Sequence, residues 1–326
     1  MGIRITGLLA GVMLVALSLC ASIAFGKQSI PLTTVFHSLF SFDGLREHLI
    51  VQTVRLPRAL IAMSVGACLA MAGSIMQAVT RNALAGPELF GINQGAAFLI
   101  VIHLYLMGTV NPSDSILYAY IGAGVAGILI YGLGTMGASG LTPLKLILAG
   151  STMNLLLGAL TQGILVFDEQ SLDTMRFWLA GSLTGRSSAL FYQVVPFMIA
   201  GLIGALALSR PINLLSLGEE TAQGLGLRTN WVKAAALVAV ILLAGSSVAI
   251  AGPIGFVGLA VPHIARYLVG VDYRWVLPYS AVLGALLLLL ADIAARFIIP
   301  AQEVSAGIIT ALMGAPFLIY LAQRRA

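Results

Sequence analysis

The sequence predicts an all-α integral membrane protein with about ten transmembrane helices. Hydrophobic residues make up 59% of the 326 residues and charged residues only 9%, against about 25% charged residues in a soluble domain. The mean hydropathy of +1.01 points the same way. A soluble fold cannot bury so much apolar surface, and one helical crossing needs roughly 20 residues, so about ten crossings fit into one transmembrane domain, 1–326.

Apolar runs along the chain are long enough, or nearly so, to cross the hydrocarbon as helices. The first run follows Arg4, and its length favours a membrane span over a cleaved signal peptide. The predicted spans are 4–25, 58–79, 90–107, 115–137, 144–166, 188–208, 231–250, 254–269, 277–297 and 304–322.

Two stretches between the spans are more polar than the rest. Residues 167–187 begin with Asp168 and Glu169, which predicts a re-entrant segment with a short helix around 174–183. Residues 209–230 are predicted to form a long loop that carries Glu219 and Glu220.

The distribution of basic residues predicts the orientation of the chain. The 17 Lys and Arg exceed the 12 Asp and Glu, which in a membrane protein indicates basic cytoplasmic loops rather than nucleic-acid binding. Counted on alternate loops, the larger share lies on the side of both termini, so both termini are predicted to be cytoplasmic. Arg55, Arg58 and Arg296 fall on the opposite side at predicted helix ends, where membrane insertion does not require a charge.

A short repeated motif indicates an internal duplication. Ala85-Gly86-Pro87 follows the second span, and Ala251-Gly252-Pro253 follows the seventh. Helices five apart run in opposite directions, as in the inverted repeats of transporters, although a chance match in so Ala- and Gly-rich a chain is the open alternative.

Charge inside the spans is scarce. Asp292 is the carboxylate that lies well inside a predicted span, and Arg296 follows one helical turn later, as in a helix-end ion pair. An ion-coupled carrier is expected to have more titratable groups near the midplane. A secondary carrier is therefore kept as the remoter alternative.

The chain has no recognisable nucleotide-binding or catalytic motif. A phosphate-binding loop needs Gly, four residues, and then Gly-Lys-Ser/Thr. The sequence contains one Gly-Lys pair, Gly26-Lys27. Ala21 stands where the motif needs its first Gly, and Gln28 stands where it needs Ser or Thr. The four histidines are scattered without metal-ligand spacing. The chain is therefore predicted to be no enzyme, to bind no cofactor or metal, and to leave ATP to a partner.

Asn154 and Gln162 are uncharged polar residues at membrane depth in the fifth span. They are eight residues apart and are predicted to share roughly one helix face. Such residues either form hydrogen bonds between helices or line a polar pathway.

Several segments, in order along the chain, resemble the FecCD family of ABC-importer permeases, which serves iron-siderophores, haem and vitamin B12. The segments are Arg55-Leu56-Pro57-Arg58, Arg81-Asn82-Ala83-Leu84-Ala85-Gly86-Pro87, Trp178-Leu179-Ala180-Gly181-Ser182-Leu183, Gly218-Glu219-Glu220-Thr221-Ala222, Gly252-Pro253-Ile254-Gly255-Phe256-Val257-Gly258-Leu259, Val261-Pro262-His263, Asp292 with Ala295-Arg296, Glu303 with Gly307, and Gly314-Ala315-Pro316. Ala83 and Ser305 stand where the family usually has Pro, which affects loop rigidity rather than chemistry.

The resemblance implies the type II ABC importer permease fold in a bacterial inner membrane. It also implies a second permease subunit as a homodimer or paralogue heterodimer, two ATP-binding subunits that bind ATP and Mg, and an extracytoplasmic substrate-binding protein. The transported ligand is expected to be an iron(III)-siderophore. Vitamin B12 and haem stay open as alternatives within the family.

The resemblance also assigns roles to residues at both membrane faces. Arg55, Arg58 and Arg296 resemble outward arginines that meet acidic residues of the binding protein. The segment with Glu219, Glu220, Gly224 and Gly226 is similar to the helices that couple the family's permeases to their ATPases. Carboxylates in its first turn and glycines at its end are typical of a short helix.

Two further residues are assigned by their position in a predicted loop. Thr142 and Pro143 fall where the family narrows its cytoplasmic gate.

Overall fold

A computed structural model describes residues 2–26, 30–41, 43–109, 111–136, 142–299 and 303–323, which form α-helices and turns. The helices are α1 Gly2–Ala24, α2 Leu32–Phe40, α3 Arg46–Ile50, α4 Leu56–Thr80, α5 Ile92–Met107, α6 Pro112–Thr135, α7 Pro143–Phe167, α8 Glu169–Leu179, α9 Ser188–Ala207, α10 Ser209–Ser216, α11 Glu219–Gly224, α12 Thr229–Ala251, α13 Val257–Val269, α14 Tyr273–Ala295 and α15 Ala306–Gln323. A π-helical turn, Val51–Arg55, joins α3 to α4, and a 3-10 turn, Pro87–Phe90, precedes α5.

Apolar helices in the described ranges match the predicted fold class. Seven helical runs are long and apolar enough to cross a membrane, and three shorter apolar helices accompany them: α5, α13 and the first part of α15. The second span differs most from its prediction, because one continuous helix covers the 35 residues Arg46–Thr80. Arg55 and Arg58 therefore lie inside a helix of about 50 Å, and not at a helix end as predicted.

The two polar stretches are more helical than the sequence suggests. Helix α8 begins at Glu169, five residues before the predicted re-entrant helix. Residues 209–230 are not a loop, because α10 and α11 occupy most of the segment. Residues 209–230 are called the coupling segment below.

Helix α4 is the centre of the bundle. Within the run Arg46–Thr80, 78% of the residues in the most apolar 18-residue segment are buried. Gly66 and Gly73 allow α14 and α13 to approach closely: a Cβ on Gly66 would lie 2.2 Å from the carbonyl oxygen of Gly284, and one on Gly73 would lie 1.7 Å from that of Gly258. Such contacts replace the hydrophobic effect as a source of packing energy in lipid.

Helix α7 lies at the periphery, since only 17% of the residues in its most apolar 18-residue segment are buried. Large side chains on its outer surface include Leu155, which is 76% exposed, and Phe167, which is 87% exposed. A helix so apolar and so exposed needs lipid or another subunit against it.

The helices that precede the two Ala-Gly-Pro motifs run antiparallel. Val79 at the end of α4 and Lys233 near the start of α12 line the same small cavity, and the two helices pack together. The motifs differ in backbone conformation, because Gly86 is extended and Gly252 has φ 72° at the end of α12. The helix directions match an inverted repeat, while the motifs themselves are not superimposable turns.

Candidate functional sites at the two ends of the bundle

Asp292 lies between two arginines in the interior. Its carboxylate is fully buried and accepts hydrogen bonds from Nε of Arg58 at 2.9 and 3.2 Å. Arg296, one turn along α14, donates to the same carboxylate through Nη2. The predicted pair between Asp292 and Arg296 is confirmed, and Arg58 completes it from 234 residues away. A buried carboxylate is stable only when it is paired in this way.

Arg55 and Arg296 cap the last turn of α1. Arg55 donates through Nη1 to the carbonyl oxygens of Ile23 and Ala24, both at 2.8 Å. Arg296 donates to the carbonyl of Ser22 at 2.6 Å and to its hydroxyl at 2.9 Å. The last carbonyl groups of a helix have no hydrogen-bond partners within the helix, and a cation beside them also interacts favourably with the helix dipole. The two arginines therefore tie α1 to α4 and α14, a role that the sequence did not predict for either residue.

Glu303 is a partly exposed carboxylate that contacts the same arginine as Asp292. It accepts from Nη1 of Arg58 at 2.7 Å and from the hydroxyl of Thr184 at 3.1 Å. Its side chain is 27% exposed, whereas that of Asp292 has no exposure. Glu303 thus joins α4 to the segment after α8 and to the start of α15.

The arginine cluster, defined as Arg55, Arg58 and Arg296, differs from the outward surface that we expect of docking residues. The three side chains are buried, with 8%, 8% and 6% exposure. What remains open is a cavity of about 370 Å³ that they line together with Arg46 and Glu303. We call it the arginine cavity. Arg46 was not among the predicted docking residues, although it lies on the same predicted face and is exposed.

Glu219 and Glu220 have different surroundings at the other end of the bundle. Glu219 accepts from Nζ of Lys233 at 2.7 and 2.8 Å, and Lys233 is 5% exposed. Thr229 also donates to Glu219, at 3.3 Å. Glu220, the next residue, is exposed. The two neighbouring carboxylates therefore differ: Glu219 binds a lysine of its own chain, and Glu220 lies at the surface.

The end of α11 is a Schellman motif. The N–H of Leu227 donates to the carbonyl of Ala222, and that of Gly226 donates to the carbonyl of Gln223, both at 2.9 Å. Gly226 has φ 84°, the left-handed conformation that this motif places on glycine. Gly224 is the last residue of the helix. The predicted short helix with glycines at its end is confirmed.

Three large apolar side chains next to α11 are exposed. Leu217 is 63% exposed, Leu225 is 61% exposed and Trp231 is 72% exposed. Together with Glu220 they form what we call the α11 surface. An apolar group of this kind with a charged rim is typical of a protein contact.

The predicted gate residues lie at the start of α7, next to the coupling segment. Thr142 caps the helix by accepting from the N–H of Lys145 at 3.3 Å, and Pro143 is the first helical residue. Thr142, Glu219 and Lys233 line one cavity of about 40 Å³. The fold therefore brings the start of α7 and the coupling segment together.

Asn154 and Gln162 do not share one environment. Asn154 donates through Nδ2 to the carbonyl oxygen of Glu88 at 2.9 Å and so ties α7 to the turn before α5. Gln162 is exposed. Eight residues leave the two side chains about 80° apart around the helix. Of the two predicted pathway residues, Gln162 alone faces outward.

Comparisons with known proteins match this chain over almost its whole length. Residues 14–324 match the model of the FecCD transport family. The "Probable siderophore transport system permease protein YfiZ" of Bacillus subtilis (strain 168) is 47% identical over 309 residues, 95% of this chain and 93% of that protein. The Fe(3+)-citrate import system permease protein YfmD of the same organism is 42% identical over 303 residues, 93% of this chain and 90% of that protein.

A solved structure shares the fold. It was described as an inward-facing conformation of a protein assigned to the metal-chelate type of ABC transporters. The match has a TM-score of 0.85 and 28% identity, and it covers 98% of this chain and 99% of that one. The predicted type II ABC importer permease fold is confirmed, and the apolar helices are those of a multi-pass membrane protein. On the whole-length match of its sequence and fold, this chain belongs to the FecCD transport family.

Proposed function

We propose that this chain is one permease subunit of an ATP-driven importer that moves an iron(III)-siderophore-type ligand from an extracytoplasmic binding protein into the cytoplasm. The observation that carries the proposal is the 47% identity to a siderophore permease across 95% of this chain. The Fe(3+)-citrate relative supports the same class of ferric chelate. The chain itself makes and breaks no bond and binds no cofactor.

The proposed assembly has two permease subunits, two ATP-binding subunits that hold ATP and Mg, and one binding protein. The exposed apolar face of α7 is available to a second permease subunit, which would cover part of the surface that otherwise faces lipid. The chain would lie in the bacterial inner membrane with both termini in the cytoplasm. This orientation places the arginine cavity outside and the α11 surface inside.

The arginine cavity is the proposed docking site for the binding protein. Its arginines outnumber its carboxylates, so it carries a net positive charge next to an open space of about 370 Å³. An acidic side chain of the binding protein would enter beside Arg46 and compete with Glu303 for Arg58. Asp292 stays buried and keeps the guanidinium groups in place. Such charge pairs steer docking and set its register more than they add affinity.

The α11 surface is the proposed contact with the ATP-binding subunit. Its exposed Leu217, Leu225 and Trp231 supply apolar area, and Glu220 supplies a charge at the rim. Movement of α11 would reach α7 through the pair of Glu219 with Lys233 and through the cavity shared with Thr142. This contact is the proposed link from ATP hydrolysis to the gate at Thr142 and Pro143, and to the exposed Gln162 higher on α7.

The test is uptake by proteoliposomes that contain the permease, its ATP-binding subunits and its binding protein. Ferric citrate, a ferric hydroxamate, a ferric catecholate, haem and cobalamin are offered in turn, with ATP inside or outside and with an uncoupler. We expect ATP-dependent, uncoupler-resistant uptake of one class of ferric chelate. Uptake of haem or cobalamin instead would overturn the substrate. Uptake without ATP that an uncoupler abolishes would overturn the importer class in favour of an ion-coupled carrier.

A further inference from the structure

A second cavity lies at the same end of the bundle as the arginine cluster. It has a volume of about 250 Å³ and lies where the end of α5, the start of α6, α8 and the segment before α9 meet. Thr184 lines it and also donates to Glu303, which places it beside the arginine cavity. The volume is far larger than the roughly 10–15 Å³ that a single water needs.

Arg186 in this cavity has no anionic partner. Its Nε is buried and has no acceptor, and within the described residues its guanidinium makes no hydrogen bond or ion pair. Arg186 as a whole is half-buried, and this desolvation lowers its pKa. A partly desolvated charge is stabilised by an opposite charge beside it. Arg55, Arg58 and Arg296 are each bound to carbonyls or carboxylates, so Arg186 stands apart from them.

Two other groups in the cavity are donors that find no acceptor in the described part of the chain. The indole Nε1–H of Trp178 is buried and has no acceptor among the described residues, and Trp178 is only 7% exposed. The hydroxyl of Ser182 accepts from the N–H of Thr184 at 3.2 Å, and its own hydrogen is not used. None of the described residues that line the cavity carries a carboxylate. A cation and two neutral donors around an empty volume favour an oxyanion with several acceptor oxygens.

The remaining walls of the cavity are apolar. Ile100, Leu104, Met175 and Phe177 line it, and Phe177 is 68% exposed. The adjoining end of α5 also exposes Leu106, at 68%. The cavity is therefore lined by both polar and apolar side chains, and exposed apolar residues adjoin it. An amphiphile with a charged head and an acyl chain fits this mixed lining better than a free ion or a protein side chain does.

We propose that this cavity binds the phosphate of an anionic membrane lipid, with Arg186 as the counterion and Trp178 and Ser182 as further donors. Arginine forms charge-assisted hydrogen bonds to phosphate, and tryptophan is enriched at the depth of lipid head groups on both faces of a membrane. The guanidinium fork matches two phosphate oxygens. The proposal requires that the chain spans a membrane and does not depend on the transported ligand.

The experiment measures lipid retained by the full permease, purified with its partner subunits and exchanged into nanodiscs of phosphatidylglycerol and phosphatidylcholine. Native mass spectrometry then counts the phosphatidylglycerol that stays bound on release from the disc. We expect Arg186→Gln to retain at least about ten-fold less than wild type, since a hydrogen bond to a charged group is worth that factor or more. Arg186→Lys keeps the charge and should restore part of the binding.

The matched control is Arg176→Gln. Arg176 lies in the same region, but it is exposed and bound to Asp173, so its loss should leave lipid retention at the wild-type level. Trp178→Phe, which removes the indole N–H and keeps a smaller aromatic ring, should lower retention and serves as the second test if Arg186→Gln does not fold. Equal retention by wild type, Arg186→Gln and Trp178→Phe would overturn the proposal.

Two further arms identify the source of the oxyanion. In nanodiscs of phosphatidylcholine alone, added inorganic phosphate should give no signal that depends on Arg186, and such a signal would reject the lipid in favour of the free ion. Affinity for the binding protein is measured in parallel. If Arg186→Gln weakened that affinity and left lipid retention unchanged, the site would belong to a protein carboxylate and the lipid proposal would be wrong.

Discussion

Nε of Arg58 donates to both carboxylate oxygens of Asp292, at 2.9 and 3.2 Å, and so joins α4 to α14 across 234 residues of chain. Asp292 is fully buried and Arg58 is 8% exposed, so the carboxylate depends on its arginine partners rather than on solvent. Breaking a buried pair by removing one member leaves the other charge unpaired, which costs more than the pair itself contributed. This asymmetry leads to the first prediction.

Asp292→Asn should destabilise the fold strongly, by about 3–5 kcal/mol, because Arg58 and Arg296 would then share no buried counterion. Thermal unfolding of the detergent-solubilised protein, followed by size-exclusion chromatography, measures the loss. The control is Asp173→Asn, which breaks the exposed pair with Arg176 and should cost less than about 1 kcal/mol. Equal stability of the two variants would contradict the central role of Asp292.

Arg46→Gln should slow the association of the binding protein without changing thermal stability. Arg46 lines the arginine cavity and is exposed, so its loss removes a steering charge and leaves the packing intact. Surface plasmon resonance at several salt concentrations should show a lower association rate and a weaker dependence on salt. An unchanged rate at low salt would remove Arg46 from the docking site.

Glu220→Arg should prevent assembly with the ATP-binding subunit while the permease stays folded, because Glu220 lies on the exposed side of α11. Co-purification of the two subunits measures assembly. Glu219→Gln should have the opposite pattern, with lower thermal stability, because it leaves Lys233 buried without its carboxylate. Normal assembly and transport with Glu219→Arg and Glu220→Arg combined would show that the coupling segment is assigned wrongly.

Gly73→Ala should disrupt the packing of α4 against α13. A Cβ at Gly73 would lie 1.7 Å from the carbonyl oxygen of Gly258, so the two helices must separate, and overpacking of this kind costs about 1–3 kcal/mol or more. Gly132→Ala is the matched control, since a Cβ at Gly132 on α6 meets nothing within 4 Å. We expect a lower unfolding temperature for Gly73→Ala alone.

Local features of the sites were predictable from the sequence. Asp292 and Arg296 are one turn apart on one helix, so their spacing alone predicts the ion pair. Carboxylates at 219 and 220 with glycines at 224 and 226 predict a short helix, and α11 has the expected end. In each case the interacting groups are separated by only a few residues.

Features that depend on distant segments were not predictable in the same way. The sequence suggested that Arg55 and Arg58 lie at a helix end and point outward, because the spans were assigned by hydropathy. A polar stretch before a span can continue the same helix, as Arg46–Thr80 does. Arg55 then meets the last turn of α1, a contact that no local pattern records.

The sequence by itself determined the membrane class, the approximate number of helices and the family, because these depend on composition, on the lengths of apolar runs and on short motifs in order. Only the tertiary structure decided which charged residues are buried in pairs and which remain accessible. It separated Glu219 from Glu220, placed Glu303 on Arg58, and left Arg186 without a partner among the residues that the structure describes. Burial and pairing depend on helices that are close in space but distant along the chain, and that information is present only in the packed bundle.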